Sequence, residues 1–102
     1  MKTKRAKACD ISQKVKEIVW ARDGGRCIIC GNNRAMPNSH FIRRSHGGLG
    51  IEENIVTMCD RCHRMYDQGV DRKAIEARTE EYLKSHYPGW DREKLVYKKW
   101  SF

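Results

Sequence analysis

The chain lacks any long apolar run. No segment approaches the roughly 20 residues that a membrane-crossing helix needs. The basic N-terminus is not followed by a hydrophobic segment, so it does not resemble a secretory signal peptide. Internal repeats and low-complexity segments are absent too, and the 102 residues predict one small domain. We therefore expect a protein that acts in the cytoplasm and does not enter a membrane.

Acidic side chains are scarce, and none occurs from Gly24 to Ile51. Over the whole chain 21 lysines and arginines oppose 13 acids, which gives a net charge of +8. This balance favours a polyanionic partner, either a nucleic acid or an anionic membrane surface. A solvated face kept for solubility is the weaker alternative, because the arginines of the acid-free stretch lie beside candidate catalytic groups.

The five cysteines do not suggest a disulfide framework, because nothing in the sequence directs export. Four of them form two Cys-x-x-Cys pairs, and zinc binds four thiolates tetrahedrally in structural sites. Such a site contributes roughly 10–16 kcal/mol of apparent binding energy, which suits a domain with a small core. A redox Cys-x-x-Cys would accompany a βαβ pattern, which is absent. The predicted zinc ligands are Cys27, Cys30, Cys59 and Cys62.

Residues 1–9 are basic and have no apolar periodicity, so we expect a flexible basic arm. The spare thiol of Cys9 is expected to have no function. A helix is predicted from Asp10 or Ser12 to about Arg22, because apolar residues recur at helical spacing. The following Asp-Gly-Gly ends it.

Two strands and a helix are predicted between and after the cysteine pairs. The expected elements are a loop over Asn32–Pro37, a strand over Ser39–Arg43, a mobile glycine-rich turn over Ser45–Gly50, a strand over Asn54–Met58 and a helix from Cys59 to about Gln68. The two strands would pair as a hairpin, with zinc joining it to the helix.

A second amphipathic helix is predicted from Asp71 to about His86, ended by Pro88. The tail from Trp90 to Phe102 mixes aromatic and basic residues. It can be a final strand packed on the domain or a nucleic-acid contact. Packing is favoured, because a small chain needs its tryptophans for stability.

These motifs together resemble the HNH endonuclease family in its zinc-bearing, phage-type form. The matching elements are the two cysteine pairs, the His40 strand, the Gly47-Gly48 turn, Asn54 and the final Cys-x-x-Cys-His. The resemblance implies an α+β, treble-clef-like ββα-metal fold, stapled by zinc and flanked by helices. We expect one nuclease domain over residues 10–102, with its core at 27–68.

The resemblance also assigns catalytic roles. His40 matches the general base that deprotonates the attacking water, and Asn54 matches the residue that holds the loop of that base. His63 matches a ligand of the catalytic divalent metal, Mg²⁺ or Mn²⁺. Many members carry an acid or a second histidine where this chain has Ser39, a weaker oxygen donor. Asp67, one helical turn after His63, is the further candidate ligand.

The implied activity is hydrolysis of DNA phosphodiester bonds. Arg43 and Arg44 are predicted to clamp the flanking phosphates, and Arg61 and Arg64 are further phosphate contacts. A single site nicks one strand, so a double-strand break requires a homodimer or a partner. Phage-type relatives imply a role beside the genome-packaging (terminase) proteins, in the cytoplasm of the host cell.

Two other functions are consistent with the sequence. A non-catalytic zinc module could bind nucleic acid or assemble with another protein. Ser39 favours this reading, whereas His40, Asn54 and His63 oppose it. A redox or zinc-storage protein would leave those three residues without a role. His46 and His86 are expected to be structural or exposed. The sequence leaves open the cleavage preference, DNA against RNA, and monomer against homodimer.

Overall fold

A computed structural model describes residues 3–69 and 71–98. In this part of the chain no helix is long and apolar enough to span a membrane. The elements, in chain order, are α1 (Lys4–Cys9), α2 (Gln13–Asp23), β1 (Ala35–His40), a 3-10 turn (Arg44–His46), β2 (Ile55–Cys59), α3 (Asp60–Asp67), α4 (Arg72–His86) and a second 3-10 turn (Arg92–Leu95). The predicted α+β class is confirmed.

The centre of the fold is a ββα unit. Strands β1 and β2 pair antiparallel, with Ala35 opposite Cys59 and His40 opposite Ile55. Every residue of β2 is buried, and α3 begins directly after it. The ββα architecture inferred from the sequence is therefore confirmed, and β2, α3 and α4 begin and end within a residue or two of their predicted bounds.

The core forms where the ββα unit meets α4 and the C-terminal 3-10 turn. Phe41 and Trp90 meet edge to face, with ring centroids 5.6 Å apart. The Tyr66 hydroxyl donates to the Phe41 carbonyl over 2.6 Å. The other buried apolar members include Val56, Met58, Ile75, Leu83 and Leu95.

Helix α2 is joined to the ββα unit by Arg22 and Asp23, which lie at its end and form a buried ion pair with each other. The Ser12 hydroxyl accepts from the Val15 amide and caps the helix start. At the other end the Asp23 carboxylate accepts from the Tyr82 hydroxyl (2.6 Å) and the Thr57 amide (2.8 Å). Its neighbour Arg22 donates to the Ile55 carbonyl over 2.7 Å. These contacts join α2 to β2 and α4, which fixes the base of the hairpin.

The N-terminal segment differs from the expected flexible arm. Thr3 caps a short helix, α1, by accepting from the Ala6 amide over 3.1 Å. The Ala8 carbonyl accepts from the Gly50 amide over 2.9 Å. Tertiary contact therefore orders a basic segment that has no apolar periodicity of its own. The division of the chain into an arm and one domain stays a prediction.

Strand β1 differs from the predicted Ser39–Arg43, because it starts four residues earlier and ends at His40. It begins at Ala35, inside the predicted loop, because pairing with β2 outweighs the weak strand propensity of this segment. Pro37 lies in the irregular stretch of the ladder, between Met36 and Ser39, where a missing amide donor is tolerated.

The glycine-rich turn and the tail also differ from expectation. The turn was expected to be mobile, but two backbone hydrogen bonds join it to the tail. The Leu49 amide donates to the Leu95 carbonyl, and the Tyr97 amide donates to the Gly47 carbonyl. The tail forms a 3-10 turn and a single bridge between Gly48 and Val96 instead of a strand. Residues 99–102 of the predicted tail lie outside the described residues.

Candidate functional site

The four paired cysteines converge on one point. Their sulfur atoms all lie within 4.8 Å of one another, and the Cys30 and Cys59 sulfurs are 3.6 Å apart. Four thiolates about 2.3 Å from a tetrahedral zinc ion have sulfurs about 3.8 Å apart, so the cluster fits zinc. Gly31, at φ 78°, makes the left-handed turn after the first pair, and the Cys59 sulfur accepts from the Cys62 amide at the start of α3.

Local hydrogen bonding prepares one of these thiols for metal binding. Burial disfavours the Cys27 thiolate, yet backbone N–H groups donating to its sulfur outweigh that effect and lower its pKa to about 7. Burial and the neighbouring thiols raise the pKa of Cys62. A divalent cation bound by the four thiols would supply the charge that keeps all four sulfurs deprotonated.

His40 lies at the end of β1, and its ring is held by α1. Its Nε2 atom is 2.9 Å from the Cys9 carbonyl oxygen. A carbonyl only accepts, so Nε2 carries the proton and Nδ1 keeps the free lone pair. Burial, with the positive charge of Arg44, lowers the pKa of His40 despite the opposing carbonyl. The ring is therefore neutral and able to accept a proton at neutral pH.

Asn54 is fully buried and bonds only to backbone. Its amide nitrogen donates to the Leu49 carbonyl (2.8 Å) and the Ile42 carbonyl (3.2 Å), and its oxygen accepts from the Ile42 amide (2.8 Å). Its own carbonyl accepts from the Phe41 amide over 2.7 Å. This side chain therefore fixes both ends of the loop that follows His40.

The three predicted catalytic-metal ligands lie together around the His63 ring. Its Nε2 atom is 2.9 Å from a carboxylate oxygen of Asp67, and its Nδ1 atom is hydrogen-bonded to the Ser39 hydroxyl. Neighbouring ligands of an octahedral ion with bonds of about 2.1 Å are about 3 Å apart, so the His63–Asp67 pair fits such an ion. Ser39 is buried on the opposite edge of the ring, which is the position of a residue that orients the imidazole.

Both histidines open onto one cavity of about 380 Å³, which Arg43, Arg44, Ser45 and Asp67 also line. Arg43 donates to the Asp67 backbone carbonyl over 2.9 Å, and Arg44 pairs with Asp10 at 2.8 Å. The other two predicted phosphate contacts do not line this cavity. Arg61 is exposed on α3, and Arg64 pairs with Asp60 at 2.9 Å.

The sequence profile of the HNH endonuclease family matches residues 27–78, just over half of the chain. The chain belongs to the HNH endonuclease family. The resemblance seen in the sequence is thus confirmed. A protein named Anaredoxin, from Nostoc sp. strain PCC 7120, is 29% identical over 58 residues, which cover 56% of this chain and 76% of that protein.

The HNH match begins after α1 and α2, so two contributors to the site lie outside it. The Cys9 carbonyl, which holds His40, could not be found by sequence reasoning, because every residue carries a backbone carbonyl. Asp10, the partner of Arg44, appeared in the sequence only as a possible helix cap.

Proposed function

We propose that this HNH protein is a metal-dependent endonuclease that hydrolyses DNA phosphodiester bonds. The observation that carries the proposal is the shared cavity: a neutral histidine, a histidine–carboxylate pair suited to a divalent ion and two arginines all line it. The same cavity is open to solvent, as a site for a polymer must be.

His40 acts as the general base. Its Nδ1 lone pair accepts a proton from the attacking water, while the Cys9 carbonyl keeps the proton on Nε2 and holds the ring in place. The resulting imidazolium is stabilised by that carbonyl. The water oxygen forms the new bond to phosphorus and stays on the 5′-phosphate. The 3′ oxygen leaves with the bond electrons and is protonated from solvent.

His63 and Asp67 would hold Mg²⁺ or Mn²⁺, whose charge stabilises the negative charge that develops on the phosphate and the leaving oxygen. Ser39 keeps the His63 ring oriented for that task. Arg43 and Arg44 attract and position the flanking phosphates without reading bases. One site nicks one strand, and a double-strand break requires a second copy or a partner. A role in phage genome packaging rests on the resemblance alone.

A non-catalytic DNA-binding module is the second candidate. Both ring nitrogens of His63 already have protein partners, Ser39 and Asp67, and Ser39 replaces the acid or histidine of many relatives. A protein of this kind would bind DNA through the same arginines without cutting it.

The test is nicking of supercoiled plasmid by zinc-loaded protein with added Mg²⁺ or Mn²⁺. His40→Ala, compared at equal zinc content, should reduce the nicking rate by roughly 10²–10⁴-fold, the usual contribution of a general base. His86→Ala is the matched control, because that exposed histidine lies on α4 and does not line the cavity. DNA binding without nicking in the wild-type protein would support the non-catalytic module instead.

A further inference from the structure

A second open cavity adjoins the first. It has a volume of about 500 Å³ and shares His40, Arg44 and His63 with the cavity described above. From there it extends to residues of α2 and β1. The two histidines thus lie between two spaces, and a polymer cut in its middle needs room on both sides of the broken bond.

Lys16 supplies a positive charge to the second cavity. It is half-buried on α2, and among residues 3–69 and 71–98 its ammonium group has neither a carboxylate nor a hydrogen-bond partner. Arg44, in contrast, is paired with Asp10, which lines the same cavity. A positively charged side chain beside a solvent-filled space attracts an anion that enters it.

Asn38 lies across the same cavity on β1. Its side chain is exposed and has no hydrogen-bond partner in the described part of the chain, so its amide can both donate and accept. An ammonium and a free amide are the groups with which proteins contact the phosphates and sugars of DNA.

We propose that the second cavity is a subsite for the DNA phosphate next to the scissile one, with Lys16 neutralising its charge and Asn38 hydrogen-bonding to it. This inference rests on the proposed nuclease function. Lys16 lies on α2, outside the family match, so the subsite depends on a part of the chain that the HNH profile does not cover.

Binding is tested separately from cleavage, in the His40→Ala background. The affinity for a short duplex is measured from low to high salt, without added divalent metal. Lys16→Ala should lower the slope of log K against log salt by about 0.9, the value for one lost phosphate contact. Lys14→Ala is the control, because it removes the same charge from the same helix at an exposed position outside the cavity. Alanine favours helix, so both variants should fold.

Equal slopes for the Lys16 and Lys14 variants would overturn the subsite while leaving the nuclease intact. Failure of the His40→Ala protein to bind DNA at low salt would instead overturn the proposed function, and the subsite with it.

Cleavage provides the second arm. A duplex with a neutral methylphosphonate at the phosphate next to the mapped cut should be nicked more slowly than the normal duplex by the wild-type and Lys14→Ala proteins. The nicking rate of Lys16→Ala should differ little between the methylphosphonate duplex and the normal duplex, because this variant already lacks the contact to that phosphate. If the methylphosphonate slowed nicking by the same factor in all three proteins, Lys16 would not contact that phosphate. Asn38→Ala should weaken binding with little change in the salt slope, because it removes no charge.

Discussion

At the scale of single residues, Asn54 holds the loop that follows His40. It makes three side-chain hydrogen bonds to backbone and is fully buried. Asn54→Ala would leave the Ile42 amide and the Leu49 carbonyl without their partner. Each unsatisfied buried group costs about 1–3 kcal/mol, so the two together should lower the free energy of unfolding by roughly 2–6 kcal/mol.

Denaturant unfolding of the zinc-loaded protein measures this loss. Asn33→Ala is the control, because that asparagine is exposed and makes no side-chain hydrogen bond within the described residues. A change of less than about 0.5 kcal/mol in Asn54→Ala, the range of ordinary surface substitutions, would show that the loop does not depend on this side chain.

At the scale of elements, α1 positions His40, the proposed general base. Gly50 packs directly on the end of this helix: a Cβ atom there would lie 1.9 Å from the Asp10 carbonyl oxygen. Gly50→Ala must therefore displace the segment whose Cys9 carbonyl holds His40. We expect the nicking rate to fall about 100-fold, the effect of a misplacement of about 1 Å.

Nitrogen NMR of the His40 ring reports the same event, because the fixed Nε2–H tautomer should give way to a mixture. Val19→Ala is the control for lost stability alone, since Val19 is buried in α2 away from both cavities. Nicking by folded Gly50→Ala protein at the rate of Val19→Ala would refute the positioning role of α1.

Sequence reasoning was most accurate for elements whose cause is local. Helices α2 and α4 have apolar residues at helical spacing, and the start of α3 follows from the second cysteine pair. It failed for α1 and for the start of β1, which tertiary contact and strand pairing stabilise. In the site, the cysteines, His40, Asn54 and His63 could be named from spacing and family resemblance. The hydrogen bond between Ser39 and Nδ1 of His63 could not be predicted, because it depends on how β1 packs against α3.

At the scale of the whole molecule, folding should depend on zinc. The apparent binding energy of structural zinc, roughly 10–16 kcal/mol, matches or exceeds the total stability of a typical domain, about 5–15 kcal/mol. Removing zinc with a strong chelator should therefore unfold the protein, with loss of its helical circular dichroism and exposure of its thiols to a chromogenic reagent. Cys59→Ser should have the same effect.

Cys9→Ala is the control for Cys59→Ser, because it removes a cysteine that is not a predicted zinc ligand. Cys9 is buried but lies outside the four-sulfur cluster, so this variant should still bind one zinc ion per chain and remain folded. A chelated protein that keeps its circular dichroism and protected thiols would show that the apolar core is sufficient without the metal.

The turn at Gly47 has a consequence for protein engineering. A Cβ atom at this glycine would lie 3.6 Å from the Tyr97 backbone nitrogen and 3.8 Å from the Arg5 guanidinium, so residues near both ends of the chain meet there. The loop that leads into this turn carries Arg44 and Ser45, which line the cavity shared by His40 and His63. Arg5 and Tyr97, which lie near the first and the last of the described residues, thus both contact the loop that lines this cavity. A fusion partner inserted into this turn would therefore disturb both segments and the cavity together, so the turn is unsuitable as an insertion site.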